Sequence, residues 1–302
     1  MTQNAAPNLS PAGEFDATGI DLGLDKAEFR RRVENLSNLP TLPHLMDTMS
    51  QMIADPNSSM SDIGDEIAKD QVLTSKILRL VNSAFYGFNR PISTVTHALI
   101  LLGYDAVKGL IVSTSVFEYL PEAAYSLWRH SLGVSQACRA VTRVVDAPDE
   151  EEMAVAGLLH DLGKVVMHIE ASQPYAKLIE IAAAHQTPLW KMERALVGFD
   201  HAEIGLWLCE EWALPEKLAV PIGYHHKAQI ARQHRRRVSI VAVADALVRA
   251  MEGGAEADLP LEELPPCVEE DVPLTEMQLR RLIDAIEPEI AALRYLTPDD
   301  MG

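Results

Sequence analysis

The sequence has few cysteines, few aromatic residues and no long apolar run. Its three cysteines, Cys138, Cys209 and Cys267, are odd in number and far apart, which predicts reduced thiols and argues against a thiolate zinc site. No apolar run reaches the roughly 18 to 20 residues of a membrane span. The first residues also lack the basic and apolar regions of a secretory signal. We therefore expect a cytoplasmic protein without a membrane partner.

Basic residues are scarce too, and the formal net charge is −18. Residues 251–302 carry fourteen acidic residues against three arginines, so this part alone contributes −11. A surface of this sign repels nucleic-acid phosphates, which makes nucleic acid an unexpected partner. The basic segment Arg232–Arg237 is the exception. It is interpreted as a solvated basic loop, with a contact to a phosphate-bearing ligand as the alternative.

Apolar residues recur at helical spacing, and no segment shows a strand pattern, so the sequence predicts an all-α fold. Prolines, glycines and changes in composition divide the chain into four parts. The predicted parts are a flexible leader over residues 1–24, an N-terminal helical subdomain over 25–125, a second helical subdomain over 126–252, and an acidic linker with a last helix over 253–302.

The second subdomain concentrates histidines and aspartates inside apolar stretches. Asp245, for example, is the only charge between Ser239 and Val248. A carboxylate buried without a partner costs several kcal/mol, so it needs a cation or strong donors. Imidazole and carboxylate together suit a divalent transition metal such as iron, manganese or zinc. The candidate ligands are His130, His160, Asp161, His201, His225, His226 and Asp245.

Each candidate has a structural alternative. His160 and Asp161 could form a hydrogen-bonded buried pair, and Asp245 could pair with an arginine such as Arg139 or Arg143. His201 precedes a helical pattern and could cap a helix.

The remaining histidines, His185 among them, are interpreted as structural or surface residues, and the tryptophans as core. These residues are His44, His97, His168, His185, His234, Trp128, Trp207 and Trp212.

The order His130, then His160-Asp161, then Asp245 resembles the signature of HD-domain metal-dependent phosphohydrolases. Several further segments narrow the resemblance to the HDOD family, the HD-related output domain of bacterial signalling proteins. The segments that carry it are Asp70–Tyr86, Pro91–Gly103, Phe199–Gly205, Trp212–Pro215 and Tyr224–His226. Together they span about residues 30–250. The resemblance implies an HD-type helical fold.

By resemblance to the related HD-GYP phosphodiesterases, His201 and His225 would serve a second metal, so the chain would hold one or two ions. His226 would be a ligand or an outer-shell partner. In an enzyme, Asp161 and Lys164 would be the catalytic residues, with Lys164 contacting a phosphate; the alternative for Lys164 is a solvent-facing lysine. Two departures from the HD-GYP pattern stand out: no Gly-Tyr-Pro loop follows His226, and Ser126 stands where some relatives carry a bridging glutamate.

Two functions follow from these residues. The first is a regulatory signalling protein that retains an HD-type metal site and responds to a signalling protein partner or a nucleotide-type phosphate ligand. The second is a metal-dependent phosphohydrolase acting on a nucleotide or cyclic dinucleotide. The resemblance favours the first, while the retained ligands favour the second. The sequence leaves the oligomeric state open.

Overall fold

The structure, a computed structural model, describes residues 22–34, 42–82, 86, 88, 90–117, 119, 122–252 and 264–293. The predicted leader, apart from residues 22–24, and most of the predicted acidic linker lie outside these residues. In the described part all regular structure is helical, with short 3₁₀ turns at Glu122–Ala124 and Ala228–Ile230. The all-α prediction is confirmed. The α-helices are α1 Lys26–Glu34, α2 Leu42–Ala54, α3 Met60–Ala68, α4 Gln71–Asn82, α5 Val95–Leu102, α6 Tyr104–Phe117, α7 Tyr125–Val144, α8 Glu150–Leu159, α9 Leu162–Glu170, α10 Ser172–Ala184, α11 Leu189–Val197, α12 His201–Glu211, α13 Glu216–Tyr224, α14 Arg235–Glu252, α15 Pro266–Asp271 and α16 Glu276–Leu293.

The boundaries of the first helices follow local signals in the sequence. The hydroxyl of Ser59 caps α3 by accepting from the N–H of Asp62, whose carboxylate accepts from the N–H of Ser59 in return. This reciprocal capping box sets the N-terminal end of α3. Gly103 separates α5 from α6, and its φ of 88° lies in a region that favours glycine.

Helix α7 packs against three other helices, α8, α14 and α16. Helix α14 is buried continuously from Val238 to Arg249. A helix that is buried on all sides belongs to the core rather than to the surface. Gly157 allows the closest approach of α7 and α8, since a Cβ atom there would lie 2.7 Å from Cys138 Sγ and 2.9 Å from the Val134 carbonyl oxygen.

Three arginines of the basic segment, residues 235–237, form contacts within the chain. Arg235 forms a bidentate pair with Asp271, which attaches α15 to α14. The guanidinium of Arg236 donates to the Val145 carbonyl, and Arg237 pairs with Asp149. These three arginines are the first residues of α14 and are paired within the chain, so they do not form the solvated basic loop that was expected. Their partners also leave less positive charge available for a phosphate ligand. None of the described helices is long and apolar enough to span a membrane.

Candidate metal centre

His160 and Asp161 occupy a tight turn between α8 and α9. Helix α8 ends at Leu159 and α9 begins at Leu162. Both side chains are fully buried. Because the chain turns here, the two adjacent side chains face the same space, and their closest atoms, His160 Nε2 and Asp161 Oδ2, are 3.2 Å apart.

His201 is brought to this turn by a close contact between backbones. It is the first residue of α12, and the carboxylate of Asp200 caps that helix by accepting from the N–H of Glu203. A Cβ atom at Gly163 would lie only 1.9 Å from the His201 carbonyl oxygen. Only glycine therefore lets α9 and α12 meet at this distance. The capping role considered for His201 belongs to Asp200.

The paired histidines follow the C-terminal end of α13, and both are buried. His225 lies against His160 in an edge-on contact with ring centroids 5.1 Å apart. His226 stacks on the indole of Trp190, with ring centroids 5.6 Å apart and an interplanar angle of 11°. The two residues thereby complete a ring of imidazoles around Asp161.

We call His160, Asp161, His201, His225 and His226 the inner cluster. Two of its histidines are oriented by hydrogen bonds to backbone carbonyls. Nδ1 of His160 donates to the Gly157 carbonyl at 2.7 Å, and Nδ1 of His225 donates to the Ile222 carbonyl at 2.8 Å, so that Nε2 of each ring points inward. A hydrogen bond at one ring nitrogen sets the tautomer and leaves the other nitrogen's lone pair for a metal.

The inner nitrogens converge on the carboxylate of Asp161. His201 Nε2 is 3.3 Å from Asp161 Oδ1 and 2.8 Å from His226 Nε2, and His225 Nε2 is 3.9 Å from the same carboxylate oxygen. In the described part of the chain, Nε2 of His160, Nε2 of His225 and both oxygens of Asp161 have no hydrogen-bond partner of suitable geometry. Buried polar atoms rarely lack a hydrogen-bond partner in a folded protein. The donor set therefore fits a divalent transition metal.

His130, Asp245, Arg249 and Glu252 form a second group, the outer network, on α7 and α14. Both ring nitrogens of His130 contact carboxylates: Nε2 is 3.0 Å from Asp245 Oδ1, and Nδ1 is 2.9 Å from Glu252 Oε2. The two groups adjoin, since His160 Nε2 is 3.5 Å from Asp245 Oδ1. His130, His160 and Asp245 also have donor atoms close enough together to hold an ion.

The arginine that pairs with Asp245 is Arg249, one turn along α14, rather than Arg139 or Arg143. Arg139 instead pairs with Glu151, and Arg143 with Glu150. The alternative considered for Asp245 is thus present in the structure, but with a different arginine.

Burial and neighbouring charges together set the pKa values of the inner cluster. Burial disfavours protonation of His160, but the Asp161 carboxylate outweighs it and raises the pKa of His160 to about 9. Burial together with the neighbouring His160 and His201 lowers the pKa of His225 to about 3. Burial opposes ionisation of Asp161, but His160 and Lys164 outweigh it and hold the pKa of Asp161 well below its usual range. Asp161 is therefore an anion that requires a cation or proton beside it.

Lys164 is buried and faces the inner cluster, which contradicts the solvent-facing alternative. Its Nζ lies 2.9 Å from Asp161 Oδ2, one turn along α9. This position neutralises part of the charge on Asp161. It is also where an ammonium group could contact an anionic ligand.

Sequence reasoning missed residues that hold the ligands in place. Glu193 on α11 is fully buried, and its Oε2 accepts from the His201 N–H at 2.9 Å and lies 2.7 Å from His201 Nδ1. Its other oxygen accepts from the Tyr175 hydroxyl at 3.1 Å. The apolar helical spacing of Leu189, Met192 and Val197 could have indicated that Glu193 lies on a buried face. Nothing in the sequence indicates its partner.

The residues interpreted as structural lie outside the candidate metal groups of the described chain. His185 caps the C-terminal end of α10, His168 contacts the Tyr175 ring, and His97 is exposed. The side chain of His44 lies outside the described part. Trp128, Trp207 and Trp212 are buried core residues, as predicted.

A small cavity adjoins the centre on the side of His225, His226 and Asp245. In the described part, the cavity beside it has a volume of about 10 Å³, roughly that of one water. Its walls are His225, His226, Ala242, Asp245, Ala246, Leu264 and Pro265.

A family model for the HDOD domain matches residues 39–228, most of the described helices and all of the inner cluster. The chain belongs to the HDOD family. An uncharacterized protein of Treponema pallidum (strain Nichols) is 28% identical over an alignment of 243 residues. The alignment covers 77% of this chain and 45% of that protein. The HDOD chain therefore spans about half the length of this relative.

Solved structures support the same fold. An HDOD domain protein of unknown function from Geobacter sulfurreducens has a TM-score of 0.66 at 24% identity, covering 92% of this chain and 99% of that chain. A candidate signal transduction protein from Marinobacter aquaeolei VT8 has a TM-score of 0.67 at 18% identity, covering 95% and 69%. A candidate phosphohydrolase from Shewanella amazonensis SB2B has a TM-score of 0.61 at 21% identity, covering 91% and 96%.

Proposed function

We propose that this HDOD protein is a regulatory signalling protein whose buried HD-type centre holds a divalent transition metal. The observation that carries the proposal is a set of convergent, fully buried donor atoms without hydrogen-bond partners in the described chain, beside a cavity of about 10 Å³. The first feature supports a metal ion, and the second argues against a bound nucleotide, since small-molecule sites usually measure about 300 to 1,000 Å³.

The inner cluster would hold the ion through Nε2 of its histidines and the Asp161 carboxylate. When bound, the ion supplies positive charge and Lewis acidity to a site that water hardly reaches. The chain's own residues fix the ligands: the carbonyls of Gly157 and Ile222 orient two imidazoles, and Glu193 orients a third. The ion would thereby tie the α8–α9 turn to α12 and to the end of α13.

A centre of this kind suits control of conformation. The α8–α9 turn lies about forty residues or more before α12 and the end of α13. Loss of the ion would leave Asp161 with Lys164 as its remaining counter-charge and loosen these elements together. A protein partner could then bind one state of these helices, either joined by the ion or released from it. The name of the Marinobacter structure supports a signalling role for this fold, although at 18% identity the likeness itself extends only to the fold.

Phosphohydrolysis is the second candidate, and Lys164 beside Asp161 is the observation that favours it. An ammonium group at this place could bind a phosphate oxygen, and a relative in fold is named as a candidate metal-dependent phosphohydrolase, with a TM-score of 0.53 at 16% identity. The described cavity beside His225, His226 and Asp245, which Leu264 and Pro265 also line, would have to widen to admit a nucleotide.

The experiment measures metal content and turnover on the same preparations. Protein purified without chelator is analysed for iron, manganese and zinc, and then assayed against nucleotides and cyclic dinucleotides. We expect stoichiometric metal, loss of that metal in the His160→Ala/Asp161→Ala double variant, and no turnover. The control is His97→Ala, an exposed histidine on α5, which should retain the metal.

Metal that persists at full stoichiometry in the double variant would refute the assigned centre. Turnover by the metal-loaded protein that disappears in Asp161→Ala would reject the regulatory proposal in favour of the phosphohydrolase.

A further inference from the structure

Arg249 is a buried cation in contact with a candidate metal ligand. Its side chain is 7% exposed, and its Nε and Nη2 donate to the two oxygens of Asp245 at 2.7 and 2.6 Å. A bidentate guanidinium–carboxylate pair is among the strongest hydrogen-bonded ion pairs in proteins. Because Asp245 and Arg249 are four residues apart on α14, the helix itself keeps this pair in register.

His130, the other outer ligand candidate, is satisfied as well. Its two ring nitrogens lie 3.0 and 2.9 Å from carboxylate oxygens of Asp245 and Glu252. An ion at either ring nitrogen would have to displace one of these carboxylate contacts.

The outer network is closed by its own contacts. Both oxygens of Asp245 accept from Arg249, and His130 lies between Asp245 and Glu252.

The inner cluster differs. Lys164 pairs with one oxygen of Asp161, but Nε2 of His160 and Nε2 of His225 have no hydrogen-bond partner of suitable geometry in the described chain. The Nδ1 atoms of these two histidines are held by backbone carbonyls, so Nε2 is the nitrogen that faces the cluster.

From this contrast we infer that Arg249 takes the place of a second metal ion, so that the chain binds a single ion, in the inner cluster. The inference rests on the proposed function and sharpens it, because it names the residue that sets the metal stoichiometry. A dication in the outer network would have to displace a guanidinium held by two short hydrogen bonds and would meet its charge at close range.

The test is a titration with Mn²⁺ of metal-free protein, followed by elemental analysis and by electron paramagnetic resonance at saturation. The wild-type chain should bind one Mn²⁺ and give the spectrum of an isolated ion. Arg249→Gln removes the cation, leaves Asp245 and Glu252 without it, and should bind two ions with the spectrum of an exchange-coupled pair. Arg280→Gln is the control: it breaks an exposed pair of the same spacing, Arg280 with Glu276, and should still bind one ion.

The outcomes separate this inference from the proposed function. One ion in both the wild type and Arg249→Gln would overturn the role of Arg249 and leave the metal centre standing. Two coupled ions in the wild type would also overturn it. No bound Mn²⁺ in either protein would refute the metal centre and the inference with it.

A second pair of variants keeps the inference testable if Arg249→Gln does not fold. His130→Ala should still bind one Mn²⁺, because His130 belongs to the satisfied outer network. His201→Ala should bind none or bind at least tenfold more weakly. An ion lost in His130→Ala but retained in His201→Ala would place the metal in the outer network and contradict the inference.

Discussion

Glu193 offers a sharp test of how the metal centre is built, because it contacts a ligand without being one. Its carboxylate lies 2.7 Å from His201 Nδ1 and accepts from the His201 N–H at 2.9 Å. Because a carboxylate only accepts hydrogen bonds, its contact with Nδ1 of His201 requires the proton on Nδ1. The lone pair of His201 Nε2 is then directed into the inner cluster. In Glu193→Gln the amide nitrogen can instead donate to Nδ1, which moves the histidine proton to Nε2 and blocks the metal-facing position.

The size of the effect follows from the bonds that change. Loss of a partner of this kind lowers metal affinity by about 10- to 100-fold, or about 1.4 to 2.8 kcal/mol. Stability of the metal-free protein should also fall by about 1.5 to 3 kcal/mol, because a hydrogen bond to a buried charged group is lost.

The measurement is Zn²⁺ affinity by competition with a chromophoric chelator, with the free energy of unfolding measured in urea on the same variants. Glu180→Gln, at an exposed position on α10, is the matched control and should change neither quantity. Glu193→Asp keeps the charge and should recover part of the affinity, which a purely structural role would not require. Wild-type affinity in Glu193→Gln, together with reduced stability, would show that Glu193 supports the fold and does not orient His201.

Two further predictions concern the contacts that position His201. Gly163→Ala should lower the free energy of unfolding by about 2 kcal/mol or more, because its Cβ would lie 1.9 Å from the His201 carbonyl oxygen; an unchanged urea midpoint would contradict this close approach. Burial opposes ionisation of Asp200, but hydrogen bonds, first that from Lys227, lower its pKa, so its stabilisation is present above the unfolded pKa of about 3.9 and is lost as pH falls through the lower folded value. Unfolding measured between about pH 2 and 6 should show a weaker pH dependence in Asp200→Asn than in the wild type, and equal slopes would refute the linkage.

Much of the helical architecture follows from local sequence. Gly103 ends the apolar helix α5, because a residue with its positive φ does not continue a helix. Ser59 and Ser61 both offer a hydroxyl near an acid at the start of α3, and only the folded backbone selects Ser59 as the cap. The division of the chain into four parts stays a prediction.

The candidate ligands were also predictable as a set. Charged groups such as Asp161 and Asp245 in strongly apolar segments must be buried, and buried carboxylates need cations. Their division into two groups was not predictable. It depends on Arg249 and Glu252, which are ordinary charged residues near the end of an amphipathic helix when only the sequence is considered.

The sequence by itself determined which residue types lie in the core and that their chemistry suits a transition metal, because burial and helix period are local properties of the chain. Tertiary structure alone decided that the inner histidines converge on Asp161, that Glu193 orients His201, and that Glu252 contacts His130. These are pairings between atoms a few ångströms apart in space whose residues lie on different elements. Electrostatic and hydrogen-bond energies change steeply over such distances, so only the packed fold specifies them.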